Sequence, residues 1–359
     1  MSLACLHPTM AWEDSARSAE PRVSSRRELW WSVVEALNNS GIPYCLLGSG
    51  EDSRDRPGCD TDFAVRPQDE NKVPRLLAAA AASVGAHLVQ AIRHEISATY
   101  FAIARQQGSQ IAFVNPDCTT DYRRKRRLWM HANELLSERS FARGLYRPQG
   151  EREFQYYLLK HVLKQSVSEQ QWQKLLELHG RAGGFPAIAA YWEARTAAEL
   201  DSAVRRQNPR WFREQLPRLL RELQGSAKIE RLSDRAARWL ADVARIIERV
   251  VQPTGLLVTV SSGTSEQRRQ LARLLANRMA PAFRRCVVAG RFPPFAVVPA
   301  LVRSTLVIYC GNGRGPLGFA GALRIVYNTS LPMEKNTVSA VAAVIQHLER
   351  RTLRRLRLC

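Results

Sequence analysis

The chain has 359 residues, enough for two or three units with cores of their own, and 45% apolar with 24% charged residues is the balance of a globular protein, not a disordered one. Its richest apolar stretch, Phe292 to Cys310, is interrupted by Pro293, Pro294, Pro299 and Arg303, so no run approaches the ~18–20 residues of a membrane-spanning helix and no transmembrane segment is expected. Lys and Arg number 53 against 33 Asp and Glu, a net charge of +20, which suits phosphate-bearing partners or simply a solvated basic surface.

Residues 1–25 carry no charged-then-apolar signal pattern and read as a flexible leader. Arg27 to Asn39 has helical periodicity (Leu29, Val33, Val34, Leu37), stopped by Asn38-Asn39-Ser40-Gly41. Pro43 to Leu47 and Thr61 to Val65 read as short buried strands, and the Ala/Leu-rich run Glu70 to Ser83 as a helix ended by Gly85. Three strand-like runs follow, His87–His94, Ala98–Arg105 and Gln110–Asn115, with "QQGS" as a tight turn between the last two. Residues 26–125 are thus expected to form a small unit of mixed sheet and helices.

"DYRRKRR", from Asp121 to Arg127, reads as a basic break, and residues 126–250 as a helical segment. Within it "EFQYYLLKHVLK" is amphipathic, and "SVSEQQWQKLLELHG" opens with a capping box at Ser168 and Gln171. Trp192, Trp211 and Trp239 fall at apolar helical positions and are expected in the core. Residues 251–349 alternate strand and helix ("GLLVTV", "EQRRQLARLLANRMA", "STLVIYC", "ALRIVYN", "MEKNTVSAVAAVIQHLERR"), which predicts a small parallel α/β unit, and 350–359 form a basic tail expected to fray. The overall expectation is a multi-domain α/β chain. The seven cysteines (Cys5, Cys45, Cys59, Cys118, Cys286, Cys310, Cys359) show no CxxC pair, which points to reduced thiols in a cytoplasmic protein and to no zinc site.

The chemistry concentrates in "YCLLGSGEDSRDRPGCDTDFAV", Tyr44 to Val65. Side chains two apart on a strand share a face, so Asp60 and Asp62 project together while Thr61 and Phe63 face the other way. Two neighbouring carboxylates repel unless a cation sits between them, and Mg²⁺, which takes oxygen ligands and accompanies phosphates, suits the pair. Upstream, Gly48 lacks a side chain, so backbone N–H groups and the Ser49 hydroxyl can approach a phosphate. The alternative for the two aspartates is turn hydrogen bonding or pairing with Arg54, Arg56 or Arg66.

"LLGSG", a ten-residue spacer after Ser49, and "DTDF" resemble the signature of the polymerase-β-like nucleotidyltransferase superfamily. The resemblance implies a nucleotidyltransferase-type core, with Asp60 and Asp62 as catalytic metal ligands holding two Mg²⁺ ions against an NTP. It also implies a third carboxylate from a neighbouring strand, for which "QIAFVNPD" offers Asp117 as ligand or base, with Asp121 as the substitute. Asn115-Pro116 before Asp117 departs from the expected strand, because Pro cannot donate to a ladder. Lys160 and Lys164, at i and i+4 on one helical face, resemble the lysines that meet triphosphate in related proteins; the alternative is a solvated basic face. Arg123, Arg124, Lys125, Arg126 and Arg127 are either a phosphate-facing strip or a solubilising linker.

"GLLVTVSSGTSEQRRQLARLL" has the strand–turn–helix outline of a phosphate-binding loop. Aligned on Gly263, the Lys position holds Glu266, followed by Gln267 and Arg268, and an acid there repels phosphate. The stretches "RSTLVIYCGNGRGPLG" and "IVYNTSLPMEKNTVSAVAAVIQHL", from Arg303 to Leu348, are similar to the last strands and helix of thymidylate-kinase-like proteins, with Cys310-Gly311 where those carry Asp-Arg. The resemblance implies a degenerate P-loop unit without kinase activity. Three functional readings follow: transfer of a nucleotidyl group from an NTP to a hydroxyl acceptor (small molecule, protein or RNA), an inactive scaffold or nucleotide sensor, and RNA binding through the basic surface.

Overall fold

The structure is a computed structural model that describes residues 20–47, 60–124, 127–226, 232–290, 294–311 and 322–358. Helix α1 (Glu20–Asn39) leads into a five-stranded sheet of β1 (Tyr44–Leu47), β2 (Asp60–Val65), β3 (His87–Glu95), β4 (Ala98–Gln107) and β5 (Gln110–Thr119), in spatial order β1-β2-β5-β4-β3. Helix α2 (Val73–Ser83), entered through a 3-10 turn at Pro67–Lys72, connects β2 to β3. The sheet is mixed, because β2 pairs parallel with β5 while every other pair is antiparallel. Gly108, at φ +56°, and Ser109 close the β4–β5 hairpin between the paired Gln107 and Gln110, as the turn signal predicts. α1 starts seven residues earlier than Arg27, the start its periodicity predicts.

Strand alternation sends each sheet residue to one of two faces. Tyr44, Leu46, Phe63, Val65, Phe101, Ile103 and Val114 pack against Leu29, Trp30, Val33 and Val34 of α1 and Leu77 of α2. The other face is divided. Cys45, Leu47 and Ala64 pack on the helical region, whereas Val89, Ala102, Ala104 and Phe113 share a core with the C-terminal unit.

The expected basic break at Asp121–Arg127 is instead the start of a hairpin, β6 (Tyr122–Arg124) and β7 (Arg127–Met130). Three small elements follow, α3 (Ala132–Leu136), β8 (Ser140–Ala142) and β9 (Leu145–Arg147). The helical region then comprises α4 (Gly150–Lys164), α5 (Glu169–Arg181), α6 (Phe185–Ala189), α7 (Ala194–Arg205), α8 (Pro209–Ser226) and α9 (Leu232–Val251). Ser168 and Gln171 form the expected capping box of α5. Trp192 is buried and Trp211 packs at the margin of this core, but Trp239 is 57% exposed, contrary to the expectation of a core position. α9 turns its apolar stripe outward.

The C-terminal unit is an all-parallel sheet, order β11-β12-β10-β13, built from β10 (Leu256–Ser261), β11 (Arg285–Ala289), β12 (Thr305–Tyr309) and β13 (Leu323–Val326). Helices α10 (Ser265–Met279), α11 (Pro294–Val302) and α12 (Met333–Arg355) accompany it. The tail does not fray where its sequence suggests: α12 continues to Arg355 and docks on the edge strand β3. Thr352 donates to the Val89 carbonyl at 2.9 Å, Arg355 to the Ala91 carbonyl, and Arg351 to those of Gly255 and Thr254. Burial pulls the Arg351 guanidinium down to about 10. Thr352 and Arg355 occupy carbonyls that the edge strand β3 otherwise presents to another chain.

Candidate functional site

β2 and β5 run parallel in a register that places Asp62 directly opposite Asp117. Directly opposed residues of parallel neighbours point the same way, and the strands lie about 4.8 Å apart. Asp62 shares parity with Ala64, and Asp117 with Phe113, so both carboxylates leave the sheet on the face away from α1 and α2. That face opens on a cleft of about 760 Å³, walled opposite by Tyr156, Lys160 and Lys164 of α4.

Pro116 sits inside β5 despite its missing N–H. The β4–β5 register keeps Tyr100 opposite Asp117 and Ile103 opposite Val114, with pairing interrupted between them. Asn115 Nδ2 reaches the Phe101 carbonyl at 3.5 Å, next to the proline that cannot donate. The strand therefore continues to Thr119 and carries Asp117 to the cleft.

Lys160 Nζ lies 2.5 Å from Asp62 Oδ2, and the Tyr156 hydroxyl lies 3.5 Å from the same oxygen. Lys160 also approaches the Tyr156 ring at 5.7 Å from its centroid, and Tyr156 stacks edge-on with Tyr122 at 4.8 Å. Burial first, then the nearby Asp62 charge, pushes the Tyr156 phenol well above its ordinary value, so it stays a hydroxyl donor. His94 Nε2 stands 3.6 Å from Asp117 Oδ2. Burial, reinforced by Arg249 and Arg245, lowers the His94 pKa and keeps the imidazole neutral at neutral pH. Burial and the neighbouring Lys160 likewise lower that of Lys164.

Among the expected site residues, Asp62, Asp117, Lys160 and Lys164 converge on this one cleft. Asp60 opens β2 two positions before Asp62 and pairs with Asn115, but its side chain, like all of Gly48 and Ser49, lies outside the described residues. Asp121, the substitute for Asp117, caps α3 by accepting from the Ala132 N–H at 3.0 Å and pairs with Arg123 at 3.2 Å. Of the basic strip, Arg123 and Arg124 line the cleft, Arg127 donates to the Gln224 carbonyl, and Lys125 and Arg126 are outside the described residues. His94 and Tyr156 escaped sequence reasoning. Tyr156 was within its reach, since it stands four residues before Lys160 on the stripe that continues to Lys164.

The donor set suits a hard cation. Asp62 and Asp117 supply carboxylate oxygens side by side, and Mg²⁺ is held by one or two carboxylates together with substrate phosphates. Among the described residues, no group of three or more His, Cys, Asp or Glu side chains is placed to hold a metal.

The turn after β10 is built differently. Ser262 and Gly263 both take positive φ, and α10 starts two residues later with Thr264 and Gln267 capping each other. Arg268 donates to the Gly263 carbonyl at 2.7 Å and to that of Cys310 at 3.2 Å. A Cβ on Gly263 would come within 2.7 Å of the Tyr327 ring. The turn is filled by its own side chains.

No protein-family model and no curated protein matches the chain. Among solved structures, the chain is similar to the antibiotic-resistance factor ANT(2'')-Ia, whose solution structure reveals substrate-regulated conformation dynamics. The identity is 14% and the TM-score 0.28, over 54% of this chain and 98% of that one. At that score the two share too little geometry for one to inform the other.

Proposed function

We propose that this chain is a magnesium-dependent nucleotidyltransferase that moves a nucleotidyl group from a nucleoside triphosphate to a hydroxyl acceptor in the cleft between β2, β5 and α4. The observation that supports it best is the opposition of Asp62 and Asp117 on parallel neighbours, facing lysines across a cleft. Asp62 and Asp117, with Asp60 from the same strand, would hold the metal, which when bound neutralises charge on the phosphoryl oxygens. Lys160 and Lys164 attract the triphosphate, and Tyr156 donates its hydroxyl to Asp62 and fixes that carboxylate. Asp117 takes the proton of the attacking hydroxyl, with the His94 imidazole beside it at 3.6 Å. The C-terminal unit has no part in the transfer: its turn is self-capped and carries Glu266 beside it.

The test is transfer from α-labelled NTP, with mass detection of pyrophosphate and adduct over a panel of acceptors. Asp62→Asn is expected to abolish transfer, by at least about 100-fold, with an unchanged circular dichroism spectrum. Equal transfer by the variant would sink the proposal.

A second reading has an observation of its own. The Lys160 ammonium already satisfies Asp62, as it would in a chain that had given up its metal and become a scaffold. Calorimetry with ATP separates the two readings, since the scaffold shows no heat that depends on Mg²⁺.

A further inference from the structure

α9 lies on the protein the wrong way round for a surface helix, whose apolar stripe ordinarily faces the core. Its charged side faces inward: Arg245 donates to the His94 carbonyl at 2.8 Å and Arg249 to the Arg93 carbonyl at 2.7 Å, both on edge strand β3. Asp242 holds Arg245 at 3.1 Å on the same side. The opposite side carries Trp239, Leu240, Ile246, Ile247, Val250 and Val251, each between 53% and 71% exposed. Among the described residues nothing covers them.

We infer that this stripe is a homodimer seam, in which α9 packs antiparallel against α9 of a second copy of the chain. The six side chains expose roughly 700 Å², more than the ~300–600 Å² largest patch of an ordinary monomer. The four that meet about Val243 (Trp239, Leu240, Ile246 and Ile247) bury at most roughly 1,000 Å² over two copies, the lower limit for a specific interface. The spacing 239, 243, 246, 250, flanked by 240, 247 and 251, is the three–four alternation of paired helices. Antiparallel pairing about Val243 sets Trp239 against Ile247 and Leu240 against Ile246, so bulky groups meet medium ones there, while Val250 and Val251 lie beyond this overlap.

An anionic membrane is the competing occupant of an amphipathic face on a chain of net charge +20. A helix lying on lipid uses flanking Lys and Arg for headgroups. Here Arg245 and Arg249 are committed to β3 carbonyls, and the flank carries the exposed Glu248, which anionic lipid repels. Two copies carry like net charge, but salt screens that repulsion over ~8 Å at physiological strength. Dimerisation through α9 therefore strengthens with added salt, whereas binding to anionic vesicles weakens.

The test uses the full chain. Light scattering over micromolar concentrations is expected to show a dimer whose fraction rises from 50 to 500 mM NaCl. Ile247→Glu, which puts two carboxylates against the paired indoles, is expected to give a monomer whose thermal unfolding matches that of the wild type diluted to its monomeric range. Val243→Cys is expected to form a covalent dimer under mild oxidation that the wild type does not form, with a linked peptide containing position 243 from both copies. Four results would overturn the inference: a wild-type monomer throughout the range, a dimer indifferent to Ile247→Glu, a monomer that pellets with phosphatidylserine vesicles, and a monomer that dimerises only after removal of residues 1–19. None of these readouts depends on transfer activity.

Discussion

Lys160 and Asp62, 98 positions apart in the chain, meet with Nζ 2.5 Å from Oδ2. The contact joins the helical region to the central sheet at the point where both carboxylates of the cleft emerge. In this structure the cation beside the Asp62 carboxylate is the Lys160 ammonium.

Lys160→Met tests which role the lysine plays. Under the proposed transfer, removing this cation is expected to raise KM for the nucleotide about tenfold, or ~1.4 kcal/mol, with a smaller change in kcat. The pair is 21% and 27% exposed, so the stability lost is about 1 kcal/mol. Steady-state kinetics with chemical denaturation separates the two effects. A variant that binds Mg²⁺ and nucleotide more tightly would instead mark Lys160 as a competitor for Asp62.

Glu153, in the first turn of α4, is only 4% exposed, and burial raises its pKa above the usual 4.5. An acid raised in the folded state stabilises the fold only while protonated. Its contribution is complete below about pH 4.5 and is lost as pH rises through the raised value. Glu153→Gln is therefore expected to be neutral near pH 4 and to stabilise the chain at pH 7. Denaturant melts at the two pH values check the sign.

The C-terminal docking makes a truncation informative. Ending the chain at Arg350 removes Arg351, Thr352 and Arg355 and uncovers the Val89 and Ala91 carbonyls of β3. The expected loss is about 3–5 kcal/mol, with aggregation through the opened edge. Thermal unfolding and light scattering measure both, and an unchanged Tm would mean that the tail contributes nothing to the fold.

The buried thiols give a probe of local opening. Burial raises Cys45 to about 12 and Cys118, in β5 beside Asp117, well above its ordinary value. Under native conditions at pH 8, iodoacetamide is expected to leave both unmodified, as read by peptide mass, and to label them in denaturant. Fast labelling of Cys118 alone would reveal that β5 separates from its neighbours.

Elements whose pattern is strong over short range are legible in the residues alone. The strands around Phe63 and Ile103, the capping box at Ser168 and Gln171 and the Gly108 turn are all set by local periodicity and turn chemistry. Periodicity also places Asp60 and Asp62 on one strand face and Lys160 with Lys164 on one helix face. That these faces look at each other comes from long-range packing, because a carboxylate–ammonium contact across 98 positions has no local signature. Register decided between Asp117 and Asp121: one stands opposite Asp62, while the other caps α3. The same long-range packing reversed two readings from composition. The basic tail lies against β3 because an edge strand offers carbonyls to its arginines, and Trp239 faces outward because Arg245 and Arg249 of the same helix take those of His94 and Arg93. Where hydrogen-bond acceptors of a distant strand compete with apolar burial for one helix, its periodicity tells which residues share a face, but not which face turns inward.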